Sequence, residues 1–220
     1  MIFTILFKQK FGNFIDNPSI LDIAKEVDKE CKGLPLVIIT VAGALKNLKT
    51  KPSWVCALEQ LKSAETRIIL EVPKELYKPL RLSYDFLECN EAKNLFFLCS
   101  LFEEDSYVCP EELLRYERGL CIFSEIRKLE HARNTVYLLL ETLKDCFFLA
   151  QGSDKNNMKM HDVLCDVAIS IAFEGEHNFM VSHHVNSDEF PRRTFYEHFT
   201  HMSIVTNKFD EHPRSIFCPN

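Results

Sequence analysis

The 220-residue sequence is poor in glycine, and it contains none of the glycine-rich loops that cradle phosphate groups. Its six glycines never stand in the order Gly-x-x-x-x-Gly-Lys-Ser/Thr, so the chain has no P-loop. No apolar run ends in paired aspartates that could hold Mg²⁺, and no serine or cysteine stands in a recognisable nucleophile motif. We therefore expect that this chain is not an enzyme by itself.

Long hydrophobic runs and an excess of positive charge are also missing. The longest apolar run, residues 34–45, is shorter than the roughly 18 residues that a membrane span needs. The formal net charge of −6 gives no general attraction for nucleic acid. No signal peptide is recognisable, and the nine cysteines form no Cys-x-x-Cys pair. These features favour a cytoplasmic protein with reduced thiols and no membrane span.

Metal-ligand spacing is absent as well. The histidines that come closest to it are His183, His184, His198 and His201, and they lack cysteine or carboxylate partners at the distances along the chain that zinc sites use. We predict no metal site.

Most of the chain shows apolar residues at helical spacing. Gly33 is a natural helix stop, and Pro35 is a natural helix start because proline lacks an N–H group that the first turn would leave unpaired. The segment from Leu34 to Leu45 fits a buried strand or a buried helix, and its length favours the helix. A further short helix is predicted to begin at Pro79. The sequence thus predicts a mainly α fold.

A β-hairpin interrupts the helices in the second half. Residues 147–160 contain two short apolar runs around a turn-rich tip, and they lie between a long amphipathic helix and an apolar helix. This order of helices and hairpin favours a winged helix. The charges of the long helix are balanced, which argues against DNA binding. His161 and Asp162 stand where the hairpin meets the last helix, at a helix N-terminus that favours anions.

The sequence changes character after residue 175. The register L-x-x-L-x-L-x-x-N-x-L of a leucine-rich repeat is matched, with looser apolar choices, by Phe199, Met202, Ile204, Asn207 and Phe209. One repeat cannot bury its own apolar face, so we expect this stretch to be the start of a longer array.

Four segments, taken in order, resemble a known family. They are Gly-Leu-Pro-Leu at 33–36, Leu-Ser-Tyr-Asp-Phe-Leu at 82–87, the phenylalanine-rich segment 95–105, and Met-His-Asp at 160–162. They resemble the GLPL, LSYDxL, CFLYCALFPED and MHD motifs of the plant NB-ARC leucine-rich-repeat disease-resistance proteins, in particular those with an N-terminal coiled coil. The resemblance covers nearly the whole chain.

The resemblance implies a domain order. Residues 1–78 correspond to a helical bundle, ARC1, and residues 79–175 to a winged helix, ARC2. Residues 176–220 correspond to a linker and the first leucine-rich repeat. The family's nucleotide-binding subdomain, which carries the P-loop, is expected upstream of residue 1.

The resemblance also implies a cofactor and its contacts. In this family ADP is bound at rest and is exchanged for ATP on activation. The GLPL residues Gly33, Leu34 and Pro35 are implied to lie near the adenine. His161 is implied to hydrogen-bond the β-phosphate, in a charge-assisted contact, and Asp162 to orient the turn.

The function that follows is that of a regulatory fragment of a nucleotide-dependent plant immune receptor in the defence response. Its partners would be the nucleotide-binding subdomain and the leucine-rich repeats of the complete receptor, or other receptor chains. One alternative is a stand-alone interaction module, or decoy, that pairs with full-length receptors. The other alternative is a winged-helix nucleic-acid binder, which the acidic balance of the chain disfavours.

Overall fold

The computed structural model describes residues 5, 18–63, 72–102, 105–120, 126, 128–154, 157–174, 179–183 and 201–205. Within these residues the chain forms eight helices and two small sheets. In chain order the elements are α1 (Pro18–Glu30), α2 (Pro35–Leu45), α3 (Lys51–Ser63), α4 (Lys74–Asp85), α5 (Asn90–Cys99), α6 (Pro110–Leu120), α7 (Leu129–Asp145), β1 (Ala150–Gln151), β2 (Met158–Lys159), α8 (Asp162–Glu174), β3 (Phe179–His183) and β4 (His201–Val205).

The first four helices form a bundle. α1 packs against α3, and both α2 and α3 pack against α4. The apolar segment that follows Leu34 is a helix, and its Val37, Ile38, Val41 and Leu45 are fully buried. A helix that is apolar on every side is stable only when other elements enclose it, so α2 is a core helix, as its length predicts.

α4 begins earlier than the sequence predicts. Instead of starting at Pro79, the helix starts at Lys74 and contains Pro79 in its interior. A proline there removes one N–H donor and leaves the carbonyl of Glu75 without its usual helical partner. Pro79 is buried, and the Ser83 hydroxyl donates a hydrogen bond to its carbonyl at 2.9 Å. Packing of the apolar face against the bundle outweighs the lost hydrogen bond, because tertiary contacts supply most of a helix's stability.

The second half of the described chain has the arrangement of a winged helix. α5, α6 and α7 pack against one another, and α8 returns to pack on α4 and α5. The predicted hairpin is present, since β1 pairs antiparallel with β2 and places Gln151 opposite Met158. Val108, before α6, pairs antiparallel with the same Met158. The prediction of a mainly α fold with a helical bundle, a winged helix and a small hairpin is confirmed.

One hydrophobic cluster joins the bundle and the winged helix. Within it the ring of Tyr84 contacts Phe96 and Phe97, with centroids 5.7 and 5.4 Å apart, and Phe96 contacts Phe148 at 4.8 Å. The motif segments 82–87 and 95–105 therefore meet in the core. The predicted boundary between residues 78 and 79 falls inside α4, which packs on both halves.

β3 and β4 form a second sheet. They pair in parallel over five residues, with Phe179 opposite His201, and α8 packs beside β3. Met202 and Ile204, which fit the leucine-rich repeat, lie in β4. Other predicted positions fall outside the described residues, namely Phe199, Asn207, Phe209 and, apart from Ile5, residues 1–17. None of the described helices combines the length and the apolar composition of a bilayer-spanning segment.

Candidate functional site

Gly33, Leu34 and Pro35 form the tight turn between α1 and α2. Lys32 and Gly33 both have positive φ, +54° and +73°, and Leu34 donates its N–H to the carbonyl of Cys31 at 3.0 Å. Glycine adopts this backbone without strain, because it has no β-carbon. Leu34 is extended, and Pro35 occupies the first turn of α2. The predicted helix stop and helix start are confirmed.

This turn presents an apolar surface on a rigid support. Gly33 and Pro35 are exposed, whereas Leu34 is half-buried against the core. The chain reverses over these three residues, so the proline ring and the glycine backbone lie on the outside of the bundle. Such a surface can pack against a flat apolar group, and it offers no charged group of its own.

His161 caps the N-terminus of α8. Its carbonyl accepts the N–H groups of Leu164 at 2.7 Å and Cys165 at 3.1 Å. Its Nδ1 accepts the N–H of Val163 at 3.2 Å, which satisfies one of the donors that a helix start leaves unpaired. The preceding Met160 is buried and anchors the hairpin end of the junction. The histidine ring is therefore held in place while its residue stays exposed.

The hydrogen bond to Nδ1 fixes the protonation pattern of the His161 ring. An N–H group can donate only to an unprotonated ring nitrogen, so the neutral ring carries its proton on Nε2. Nε2 makes no hydrogen bond with any other residue that the structure describes, and its N–H remains a donor for a ligand.

Asp162 is the first residue of α8 and is half-buried. A carboxylate in the first turn is stabilised by the positive end of the helix dipole. The ammonium of Lys159 lies near enough for its charge to interact with that of Asp162. This position is compatible with the predicted role of Asp162 in orienting the turn.

The two predicted halves of the site lie on different helices. Gly33 and Leu34 precede α2 and Pro35 is its first residue, whereas His161 precedes α8 and Asp162 is its first residue. Both helices pack on α4. Across the described residues no hydrogen bond or ion pair connects one half to the other. Within each half the structure does bring the predicted residues together.

A charged cleft that the sequence did not single out lies beside the first half. Its volume is about 220 Å³, and it is lined by Glu30, Lys32, Leu61, Lys62, Lys74, Glu75, Lys78 and Pro79. These residues come from the end of α1, the following turn, the end of α3 and the start of α4. The spacing of Lys74 and Lys78 by four residues on one helix was the only local signal of a shared face.

The buried cysteines Cys31 and Cys99 have little nucleophilic capacity. The seven cysteines that the structure describes are all free thiols. Burial raises the pKa of the Cys31 thiol to about 12, and it also raises the pKa of Cys99. The thiolate is the reactive form, so these buried thiols are inert near neutral pH. Among the described residues no group of three histidine, cysteine or carboxylate side chains converges in a metal-binding arrangement.

Comparisons with known proteins agree with the motifs. No protein-family model matches the chain. The chain is 32% identical over 217 residues to the Arabidopsis thaliana disease resistance protein At4g27190, an alignment that covers 97% of this chain and 22% of the relative. It is 33% identical over 214 residues to the probable disease resistance protein At4g27220 of the same plant, covering 96% and 23%. The disease resistance protein RPS5 is 28% identical over 212 residues, covering 94% and 24%.

The chain spans less than a quarter of the length of these curated relatives, although nearly all of it is aligned. Over nearly its whole length the chain is therefore homologous to one segment of the plant disease-resistance proteins, the family that its four motifs resemble.

Proposed function

We propose that this chain is a regulatory segment of a plant disease-resistance receptor whose arrangement is controlled by a bound adenine nucleotide. The observation that carries the proposal is homology to disease resistance proteins over 94 to 97% of the chain. The order of the four motifs along the chain adds to it. In this role the segment serves the defence response by switching conformation and by contacting other parts of the receptor.

His161 is the proposed phosphate contact. Its Nε2–H donates to a phosphate oxygen of ADP, and the ionised acceptor makes this bond stronger than one between neutral groups. The start of α8 adds the positive end of a helix dipole, which favours the same anion. The bond from Val163 to Nδ1 supports this assignment, because it leaves Nε2 as the only ring donor and holds the ring still.

Gly33, Leu34 and Pro35 are the proposed contact to the adenine. The exposed proline ring and the glycine backbone form a flat apolar support, and a purine is a flat apolar group with polar edges. A nucleotide that touches this turn and His161 connects the start of α2 with the start of α8 across α4. If its affinity differs between two arrangements of these helices, binding shifts the population between them. ADP would favour the resting arrangement, and ATP the active one.

This chain supplies only part of such a site. It has no P-loop and no paired aspartates, so the phosphate cradle and the Mg²⁺ ligands would come from a nucleotide-binding subdomain of a longer protein. The curated relatives are long enough to contain one, since the aligned segment is only 22 to 24% of each. We propose that the segment alone is not an ATPase and binds ADP weakly. Free cysteines at all seven described positions support a cytoplasmic location.

We further propose that β3 and β4 begin a leucine-rich-repeat array. Position 201 pairs with position 179, which lies 22 residues earlier. Leucine-rich repeats have periods of about 20–29 residues and line up one parallel strand per repeat. The parallel pairing and this offset support the assignment that Met202 and Ile204 suggest.

The winged helix is not proposed as a nucleic-acid reader. On α7 the guanidinium of Arg133 is engaged by the carboxylate of Glu111 on α6, with N–O distances of 2.7 and 3.1 Å. An arginine held by a carboxylate in this two-pronged manner is not available to a phosphate without breaking the pair. The remaining charges of α7 are of both signs.

A chimeric receptor tests the proposed function. In full-length At4g27190 the homologous segment is replaced by this chain, and the ADP that copurifies is released by denaturation and quantified. We expect stoichiometric ADP in the chimera and about tenfold weaker retention in His161→Ala, because one charge-assisted bond is lost. His131→Ala removes an exposed histidine on α7 and is the matched control. It should retain ADP.

Two results would contradict the proposal. One is equal ADP retention by the chimera, His161→Ala and His131→Ala, with all three folded by melting temperature. The other is submicromolar ADP binding by the isolated chain in calorimetry, since that would require a complete site within these 220 residues.

A further inference from the structure

The cleft between α1, α3 and α4 is positively charged, whereas the chain as a whole is negatively charged. Four lysines, Lys32, Lys62, Lys74 and Lys78, line it together with two glutamates. The whole chain carries a formal charge of −6, so a local excess of positive charge is not a consequence of general composition. The lysines come from three separate elements and are brought together only by the fold.

Within the described part of the chain, most of these ammonium groups have no partner. Lys32, Lys74 and Lys78 form no side-chain hydrogen bond or ion pair with any residue in the described part of the chain. Lys62 has one partner, Glu26, at the long N–O distance of 3.4 Å. Glu30 and Glu75 offset part of this charge, but four lysines against two glutamates leave the cleft net positive, which favours a bound anion.

The start of α4, whose first residues line the cleft, has no capping side chain. α4 starts behind Pro73, which supplies no side-chain cap, so the first N–H groups of the helix are not satisfied by a capping side chain. Leu76 and Tyr77 donate to the carbonyl of Pro73 at 2.9 Å, whereas the N–H groups of Lys74 and Glu75 have no acceptor among the described residues. These amides lie on residues that also line the cleft.

From this arrangement we propose that the cleft binds a small anion that carries two or more phosphate groups. The volume of about 220 Å³ is below that of a site for a drug-sized ligand and suits a compact anion. Several ammonium groups on different walls require an anion with several charged groups. Lysine binds phosphate as a point charge and lacks the fixed bidentate geometry of arginine. The site should therefore select ligands by their charge more than by their shape.

The cleft is separate from the proposed nucleotide contacts. Its lining includes none of Gly33, Leu34, Pro35, His161 and Asp162, although Lys32 is the neighbour of Gly33. A polyphosphate has no adenine base, so it can bind to the cleft without binding to the turn at Gly33, Leu34 and Pro35. A free polyphosphate and a phosphoinositide headgroup share the required chemistry, and two arms of one experiment distinguish them.

The experiment uses the full chain. Calorimetry measures binding of inorganic tripolyphosphate, and flotation measures binding to phosphatidylcholine vesicles that contain phosphatidylinositol bisphosphate. The cleft variant is Lys32→Gln with Lys74→Gln and Lys78→Gln. The control variant is Lys49→Gln with Lys51→Gln and Lys128→Gln, which makes the same charge change at exposed lysines outside the cleft.

We expect the cleft variant to bind at least about tenfold more weakly, because three ammonium contacts of modest strength are lost together. The control variant and the triple Lys→Arg exchange in the cleft should keep binding. Binding of tripolyphosphate identifies a free anion, and binding of vesicles alone identifies a headgroup. Absence of binding to both probes, or equal losses in the cleft and control variants, would overturn the proposal.

Discussion

Gly43 of α2 lies against the backbone of Cys146, the residue that follows α7. A β-carbon at position 43 would stand 3.0 Å from the α-carbon, carbonyl carbon and carbonyl oxygen of Cys146. Next to this contact the Lys46 ammonium donates to the carbonyl of Asp145 at 3.3 Å, at the negative end of the α7 dipole. The helix that follows the Gly-Leu-Pro turn thus contacts the C-terminal end of the helix that leads into the hairpin and His161.

The close approach predicts that a side chain at position 43 destabilises the protein. Gly43→Ala should lower the free energy of unfolding by about 1 kcal/mol, because overpacking against backbone exceeds the gain in helix propensity. Gly43→Val should cost about 3 kcal/mol. Urea denaturation at neutral pH measures both.

Gly119 provides the matched control for this prediction. It also lies in a helix, α6, but a β-carbon there would meet no atom of another described element within 4 Å. Gly119→Ala should therefore leave stability unchanged or raise it by up to about 1 kcal/mol. If Gly43→Ala proved as stable as Gly119→Ala, the contact with Cys146 would not constrain the fold.

The buried Tyr84 hydroxyl predicts part of the loss of stability at alkaline pH. Burial raises the pKa of its hydroxyl to about 12, whereas the pKa in an unfolded chain is about 10. The native state favours the protonated form, so this contribution to stability is complete below about pH 10 and is lost as the pH rises towards about 12. The free energy of unfolding should fall more steeply in this window for the wild type than for Tyr84→Phe, which keeps the ring contacts to Phe96 and Phe97.

Tyr137→Phe is the control for the alkaline experiment, since Tyr137 is a half-exposed tyrosine on α7. It should keep the wild-type slope of the free energy of unfolding against pH. An identical slope in Tyr84→Phe and wild type would show that the Tyr84 hydroxyl does not titrate differently in the two states.

The Glu111 carboxylate predicts part of the loss of stability at acid pH. The hydrogen bond from Arg133 holds the pKa of the Glu111 carboxyl below its usual range. The native state favours the ionised form, so the contribution is present above the unfolded pKa of about 4.3 and is lost as the pH falls through the lower native value. Glu111→Gln should show a smaller acid loss of stability than wild type, and the effect should shrink in high salt because the pair is exposed.

Glu112 is the adjacent control. It is exposed and forms no ion pair with a described residue. Glu112→Gln should reproduce the acid limb of the wild type in urea denaturation between pH 3 and 6, an interval chosen around the unfolded pKa of about 4.3. If Glu111→Gln and Glu112→Gln behaved alike, the pair with Arg133 would not form in solution.

The features that the sequence predicts correctly are those with local causes. Gly33 ends α1 because its backbone has positive φ, and Pro35 starts α2 because it has no N–H to satisfy. The turn-rich segment 151–157 marks the hairpin for similar reasons. These local signals also place each half of the candidate site at a helix start.

The features that the sequence does not predict depend on distant contacts. Pro79 looks like a helix start, but packing against the bundle extends α4 back to Lys74. The lysine cleft joins three elements, so no single stretch reveals it. The protonation pattern of the His161 ring depends on one hydrogen bond from Val163, which composition and periodicity do not indicate.

His161 combines two roles that one pair of substitutions separates. Its Nδ1 caps α8, and its Nε2–H is the proposed donor to a phosphate. Asparagine is a good N-cap residue whose side-chain oxygen can replace Nδ1, but it is too short to place a donor where Nε2 stands. His161→Asn should therefore keep the free energy of unfolding of the wild type while losing ADP in the chimeric receptor.

His161→Ala should lose both properties. Without the cap the free energy of unfolding should fall by about 1 kcal/mol, and ADP retention should fall as in His161→Asn. Loss of ADP without loss of stability in the asparagine variant assigns the ligand contact to Nε2 and the cap to Nδ1. Retention of ADP by His161→Asn would instead mean that the ordered start of α8, and not the imidazole, holds the nucleotide, because asparagine preserves the first and removes the second.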